Sequence, residues 1–349
     1  MPMTPAGRAI CALNLGQPDE IPTFELEFQL SEEFFGYPLT DDALEHPEKL
    51  SRKEQEQHAI ALADRYARVY GDQNAYQIGA DALSGDPVKD EKRGLDYCMI
   101  PVYCPHWHDT ENYANQVFRK RLREHFGNTR LFCGHGDGTF AIPDGNEMYA
   151  FAYRIADEPE EVEAQALQMA QKAIERNRAQ HAMGLDVALL CSDYCYNSGP
   201  FLSPSMFDRF ITPYLAMIIE AGRRDGMYMI KHTDGNIMPI IDSLVQCNPH
   251  ALHSLDPMAG VDIRKVKEKY GKSVALCGNV HCAALQTGTD LDVLKSAEYC
   301  LKYGGEGGGY IFCTSNIPFK GMPPERYDMI LDIWKKHRSY HSPVPFETV

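Results

Sequence analysis

The sequence predicts an α/β fold: a single (β/α)8 TIM barrel with a long inserted loop or lid. Three observations predict it. Short β-branched or aromatic runs alternate with longer helical patterns, and eight such runs stand out along the chain. Several are nearly continuous in apolar residues, as strands are when both faces are covered. The chain also has 349 residues, roughly a hundred more than the ~250 a barrel of this kind needs.

The candidate strands, in order, are Thr23–Phe28, Ala75–Gly79, Thr129–Cys133, Val187–Cys191, Met227–His232, Ala251–Leu255, Ser273–Cys277 and Gly309–Cys313. The surplus length collects in Asp81–Asn115, rich in Gly, Pro and aromatics. That stretch reads as the lid over the catalytic end, because long ordered loops in compact domains are usually functional. Pro159–Gly184 reads as a helix, with Val162, Ala166, Met169 and Ala173 on one stripe, glutamates in the first turns and a glycine at the end. Ser203 and Pro204 form an N-cap and first-turn proline for a helix running towards Gly226, which Pro213 is expected to kink or split. Thr289 with Asp292 has the spacing of a capping box, and Ser339–Val349 reads as a loosely attached terminus. Right-handed crossovers between repeating strand–helix units favour a closed barrel over an open doubly wound sheet. No GxGxxG turn follows the first strand, no repeat of fixed period occurs, and residues 1–349 read as one domain.

Composition narrows the function. Lys plus Arg is 34 against 49 for Asp plus Glu, a formal charge of −15. An acidic chain without a basic block is a poor binder of nucleic acid or anionic lipid, both of which need cationic contacts. No apolar stretch is long enough to span a membrane, and the polar first twenty residues do not resemble a signal peptide. A cytoplasmic protein is expected. Eleven cysteines spread along so long a chain are expected to be free thiols, with one or two available to a metal.

Side chains just past the C-terminal ends of barrel strands face the active site. There the sequence places Ser192-Asp193-Tyr194, His232-Thr233-Asp234-Gly235-Asn236, Asp256, Cys277-Gly278-Asn279-Val280-His281 and Cys313-Thr314-Ser315-Asn316. Imidazole, carboxylate and thiol recurring at strand ends make the inventory of a three-ligand metal site with an open fourth position. His232 and Asp234, two apart on an extended strand end, point to one side and can share an ion. A third ligand is expected from Cys313 or Cys277, and such a set suits zinc. A hydrogen-bonded core histidine beside a turn-capping aspartate would leave the same pattern. Asp193, Tyr194 and His281 are the catalytic candidates; Asn236, Asp256, Asn279, Trp107 and His135 are the candidates for substrate contact. Cys133–Gly138 lacks the lysine of a phosphate-binding P-loop and reads as a tight turn that brings His135 or Asp137 near the ligand.

These motifs, in order, resemble the uroporphyrinogen decarboxylase superfamily. The matching stretches are GRAICALNLGQPDEIP, SGPFLSPSMFDRFITPYLAMIIEAG, KHTDGNI, LHSLDPMAGVD, ALCGNVHCAALQTGT and GGGYIFCTSNIP, which are spread along nearly the whole chain, while the lid matches poorly. The resemblance implies a barrel with a deep cleft at the strand C-termini. One branch, the decarboxylases, receives a substrate with eight carboxylates through an arginine-bearing N-terminal motif. Here Ala9–Glu48 holds ten acidic residues and no Lys or Arg, which would repel a polyanion. The other branch, cobalamin-dependent methyltransferases, binds zinc through His-x-Cys and a late cysteine and works with a separate corrinoid protein. His232 matches that histidine, Asp234 stands where the first cysteine would be, and Cys313 lies slightly before the last one, nearer which Asn316 falls. Resemblance to O-demethylase methyltransferases is therefore closest. It implies methyl transfer between a small methyl donor or acceptor, a methyl ether in first place, and the corrinoid of a partner protein. The alternative is a metal-free lyase acting on a small carboxylic acid. No nucleic acid or membrane partner is expected, and a homodimer is left open.

Overall fold

The computed structural model describes residues 2–71, 95–341 and 343–347. Its centre is a parallel sheet of seven strands: β1 (Met99–Pro101), β2 (Leu131–His135), β3 (Val187–Leu190), β6 (Tyr228–Thr233), β7 (Ala251–Ser254), β8 (Ala275–Cys277) and β9 (Tyr310–Ile311), hydrogen-bonded in that order. A separate antiparallel hairpin joins β4 (Cys195–Tyr196) to β5 (Gly199–Pro200). All residues of β1, β3, β7, β8 and β9 are buried, which is why β1, β3, β8 and β9 are apolar without alternation, while β7 ends in the buried polar pair His253 and Ser254.

The sheet curls, and Pro22–Phe24 spans the gap between its two edges. Phe312 N donates to Pro22 O at 2.9 Å and Phe24 N to Phe312 O at 3.3 Å, just past β9; on the other side Cys98 N donates to Thr23 O at 2.8 Å, just before β1. The expected strand Thr23–Phe28 is thus reduced to one parallel bridge, Thr23 with Phe312. The result is a curled, barrel-like α/β fold.

One expectation changes in part. Ala75–Gly79 lies outside the described residues. Within 81–115, residues 81–94 also lie outside them, Met99–Pro101 is β1 and Tyr113–Asn115 opens helix Tyr113–Phe126, which leaves residues 102–112 as a loop after β1. A three-residue strand, Met-Ile-Pro, is too short to show periodicity, and its aromatic and proline neighbours disguise it as loop. The helix signals hold. Pro159–Ala182 ends at Met183, followed by Gly184 at φ +91°, which a glycine adopts without strain. Ser203 Oγ accepts from Met206 N, and the chain breaks at Ile211 between helices Pro204–Phe210 and Thr212–Arg224, as Pro213 requires. Thr289 and Asp292 form a reciprocal capping box. The C-terminal stretch is less loose than expected, because Phe346 stacks on His337 at 4.5 Å. Among the described residues no helix is long and apolar enough to cross a membrane, and all eleven cysteines are free.

Candidate metal centre

Sheet order builds the site. β3 lies directly beside β6 and β6 beside β7, so Asp193, just past β3, meets His232 and Asp234 at the end of β6. One ligand atom from each lies within 4.8 Å of the other two. His232 Nε2 is 3.9 Å from Asp193 Oδ1 and 3.8 Å from Asp234 Oδ1. These gaps are too long for hydrogen bonds. Metal bonds of ~2.1 Å around a tetrahedral ion would set ligand atoms about 3.4 Å apart, so His232 needs to approach each carboxylate by only a few tenths of an ångström.

Each donor is held from behind. Asp234 Oδ1 accepts from Ser254 Oγ and Oδ2 from Asn316 Nδ2, both at 2.6 Å. Asp193 Oδ1 accepts from Asp234 N at 3.0 Å. His232 Nδ1 meets His253 Nδ1 at 2.8 Å. Ser254 and Leu255 take φ of +81° and +50°, a conformation costing L-residues of order 1 kcal/mol each. That turn swings Ser254 towards Asp234.

Burial, with the charge of Lys231 and then His135, pushes His232 down to about 3, so its ring is neutral and offers a lone pair. Burial and the neighbouring Asp193 and Asp256 push Asp234 up to about 6, against the bonds from Ser254 and Asn316. A neutral imidazole and two carboxylates balance a divalent cation in charge. Asp193 keeps 46% and Asp234 32% of side-chain exposure, which leaves the open side a substrate needs. The donor set fits a divalent ion, and without thiolate it is harder than the expected one.

The structure does not bring Cys277 or Cys313 to this group. Cys277 pairs in register with His253, itself paired with His232. Two strand spacings of ~4.8 Å therefore separate it from the imidazole, far beyond a zinc–sulfur bond of about 2.3 Å. Cys313 lies just past β9, three strands from β6. Both thiols are fully buried, and burial pushes them well above their ordinary range. Asp193 takes the place expected for a cysteine.

The other candidates divide. Asp256 accepts from Gly235 N at 3.4 Å and caps Met258, close enough to act on Asp234. Trp107 and His135 form an aromatic wall with Tyr103, which stacks on His135 at 5.1 Å. Asn236 turns its side chain back to Met238 N. Tyr194 does not reach the mouth: it is 0% exposed, and its hydroxyl bonds Thr139 Oγ1 at 2.6 Å. Asn279 is buried, donating to Leu255 O at 2.6 Å and accepting from Cys300 Sγ, so it fastens loops rather than substrate. His281 precedes helix Cys282–Thr287 and is not grouped with His232.

A buried ion pair beneath the site escaped the sequence reading. Lys231 Nζ lies 2.8 Å from Asp137 Oδ2, bonds Ser192 O at 2.9 Å and sits 4.0 Å over the Tyr194 ring. It ties the loops after β2 and β3 to β6. A lysine inside the apolar run Met-Tyr-Met-Ile-Lys-His was the available signal, since a buried charge needs a partner.

Gly235 carries the turn out of β6. At φ +80°, an added Cβ would lie 2.4 Å from Cys195 O. Gly235→Ala is expected to displace Asp234 and to lower any activity of this site about 100-fold, the usual consequence of a ~1 Å misplacement. Wild-type turnover by this variant would show that the turn does not govern the site.

Residues 144–337, more than half of the chain, match the family described as Uroporphyrinogen decarboxylase (URO-D). No curated protein matches the sequence. Among solved structures, a methyltransferase from Methanosarcina mazei superposes with a TM-score of 0.64 over 95% of this chain and 98% of its own, at 16% identity. At that identity the likeness is one of fold. The matched span contains Asp193, His232 and Asp234 along with the strands that carry them, and on that match the chain belongs to the uroporphyrinogen decarboxylase family.

Proposed function

We propose that this chain is a methyltransferase that moves a methyl group between a small methylated compound, a methyl ether in first place, and the corrinoid of a partner protein. His232, Asp234 and Asp193 would hold a divalent metal, zinc foremost. The observation that carries this reading is the convergence of these three donors, one neutral and two anionic, at adjoining strand ends with an open side. The fold shared with a methyltransferase supports it.

A divalent ion held there supplies Lewis-acid polarisation of the substrate oxygen, and the corrinoid supplies the methyl-transfer chemistry itself. The chain's own residues do the rest. Carboxylates in place of thiolates favour an oxygen-bearing donor over a thiol. Ser254 and Asn316 fix the Asp234 carboxylate, leaving it no freedom to swing from the site. Trp107 and Tyr103 pack on His135, which lies near enough to His232 to act on its charge. Asp193, the most exposed of the three, faces the incoming substrate.

The alternative, a metal-free carboxy-lyase, draws on the family description. An anionic substrate would need a cation, yet Lys231, adjacent to His232, is committed to Asp137. Metal analysis of the purified chain together with methylation of a Co(I) corrinoid protein tests the choice. One divalent ion per chain is expected, with methyl transfer from an ether lost by about 100- to 1,000-fold in His232→Ala, as losing several kcal/mol of charge stabilisation implies. No transfer from any of a panel of methyl ethers, methylamines and methyl thiols would remove the methyltransferase reading. Decarboxylation persisting in chelator would install the alternative.

A further inference from the structure

β7 ends in two consecutive residues that reach the two β6 ligands. Ser254 holds Asp234, and His253 holds His232. Neighbours on a strand normally point to opposite faces; the positive φ of Ser254 lets both serve one site. His253 is 1% exposed, lies in register with His232, and packs its ring against the edge of Phe24 at 5.6 Å. Its Nε2 is buried with no hydrogen-bond partner.

A contact between two Nδ1 atoms is a hydrogen bond only if one ring carries the proton and the other a lone pair. A ring that offers a lone pair to a cation cannot carry protons on both nitrogens, and a ring that accepts at Nδ1 carries its proton on Nε2. His232 can offer its Nε2 lone pair to a cation only if its proton sits on Nδ1. His253 must then accept at Nδ1 and carry its own proton on Nε2, the atom found unpartnered. We propose that His253 is the positioning residue of the cation site, accepting the His232 Nδ1 proton and so aiming the Nε2 lone pair of that ring between Asp193 and Asp234.

Metal-bound histidines are usually held by a carboxylate, a carbonyl or water. A neutral imidazole suits this centre for an electrostatic reason. Two carboxylates already balance a dication, and a third anion behind the ring would leave the pocket with uncompensated buried charge.

This assignment rests on the cation reading of the site, and one experiment separates the two. Zinc is titrated into the full-length chain against a chromophoric chelator for wild type, His253→Phe, His253→Gln and Asp193→Asn, with folding checked by circular dichroism. Nitrogen-15 NMR of labelled histidines reports the His232 tautomer in the zinc-loaded wild type. His253→Phe is expected to bind zinc about 10- to 100-fold more weakly, while His253→Gln, whose amide oxygen can accept, recovers part of the loss. The His232 signal should show protonation at Nδ1. Wild-type affinity in folded His253→Phe, or a His232 proton on Nε2, overturns the assignment while leaving the cation site in place. A folded wild type that binds no zinc overturns both. Should His253→Phe fail to fold, the wild-type tautomer decides.

Discussion

Replacing Lys231 by alanine is expected to cost about 3–5 kcal/mol of folding stability, the usual effect of stranding one member of a buried ion pair. The Lys231 side chain is 0% exposed and that of Asp137 8%. Burial alone would push Asp137 up; the Lys231 charge and bond, with those from Ser192 and Thr139, outweigh it and hold the carboxylate down to about 2. Asp137 also accepts from Gly138 N at 2.7 Å and Thr139 N at 3.0 Å, so it organises the turn after β2 as well as neutralising the ammonium. Urea unfolding measures the loss. Asp137→Asn should cost a comparable amount, and the double variant Lys231→Met/Asp137→Asn should recover much of it, because the two sites share one interaction. A Lys231→Ala midpoint equal to that of wild type would show that the pair does not hold these loops.

The second large effect is a dependence of stability on pH set by Glu25. This carboxyl is 1% exposed, and burial pushes it up to about 8, although Thr314 and Tyr327 donate to it. Tyr327 in turn bonds Tyr97, so the acid closes a chain of buried hydroxyls. The folded protein keeps a proton on Glu25 up to about pH 8, whereas the unfolded chain releases it near 4.5. Between those values the folded state binds more protons, so stability falls as pH rises, by up to about 1.4 kcal/mol per pH unit. Glu25→Gln, which mimics the protonated acid, should flatten the curve between about pH 6 and pH 8. Below about pH 6 the slope it retains combines Asp234, which shifts in the same sense, with His232, His250 and His253, whose lowered proton affinity makes stability rise with pH. Parallel wild-type and variant curves would refute the assignment.

The sequence made the fold legible wherever an element was long or punctuated. Pro159–Ala182 has its proline, glutamates and trailing glycine; Ser203 and Thr289 announce their helices through caps. β1 hid because three residues carry no period and sit among aromatics. The His232–Asp234 half of the site was readable from strand geometry, since i and i+2 share a face. Its third member was not. Which strand end stands beside β6 depends on sheet order, and β3 is its neighbour whereas β8 and β9 are not. Thiols at the ends of β8 and just past β9 have the chemistry of a third donor but not the position, whereas the carboxylate in Ser-Asp-Tyr has both. His253 escaped for another reason: inside Ala-Leu-His-Ser-Leu it reads as core, and only the structure reveals that its ring touches His232.

The stitch that Pro22–Phe24 makes between Cys98 and Phe312 bears on how the chain acquires its shape. Thr23 and Phe312 are 289 positions apart, and Thr23 Oγ1 donates to Phe312 O across that distance. Contacts so remote in sequence are slow to form, because the closure entropy is lost before any bond repays it. On the ribosome the segment emerges 289 residues ahead of Phe312 and waits for that stretch before its second edge exists. Until then both rims of the sheet present unpaired amides and carbonyls, the condition in which strands recruit other chains. Nascent protein of this kind is therefore most vulnerable to aggregation in the interval before its last strand is released.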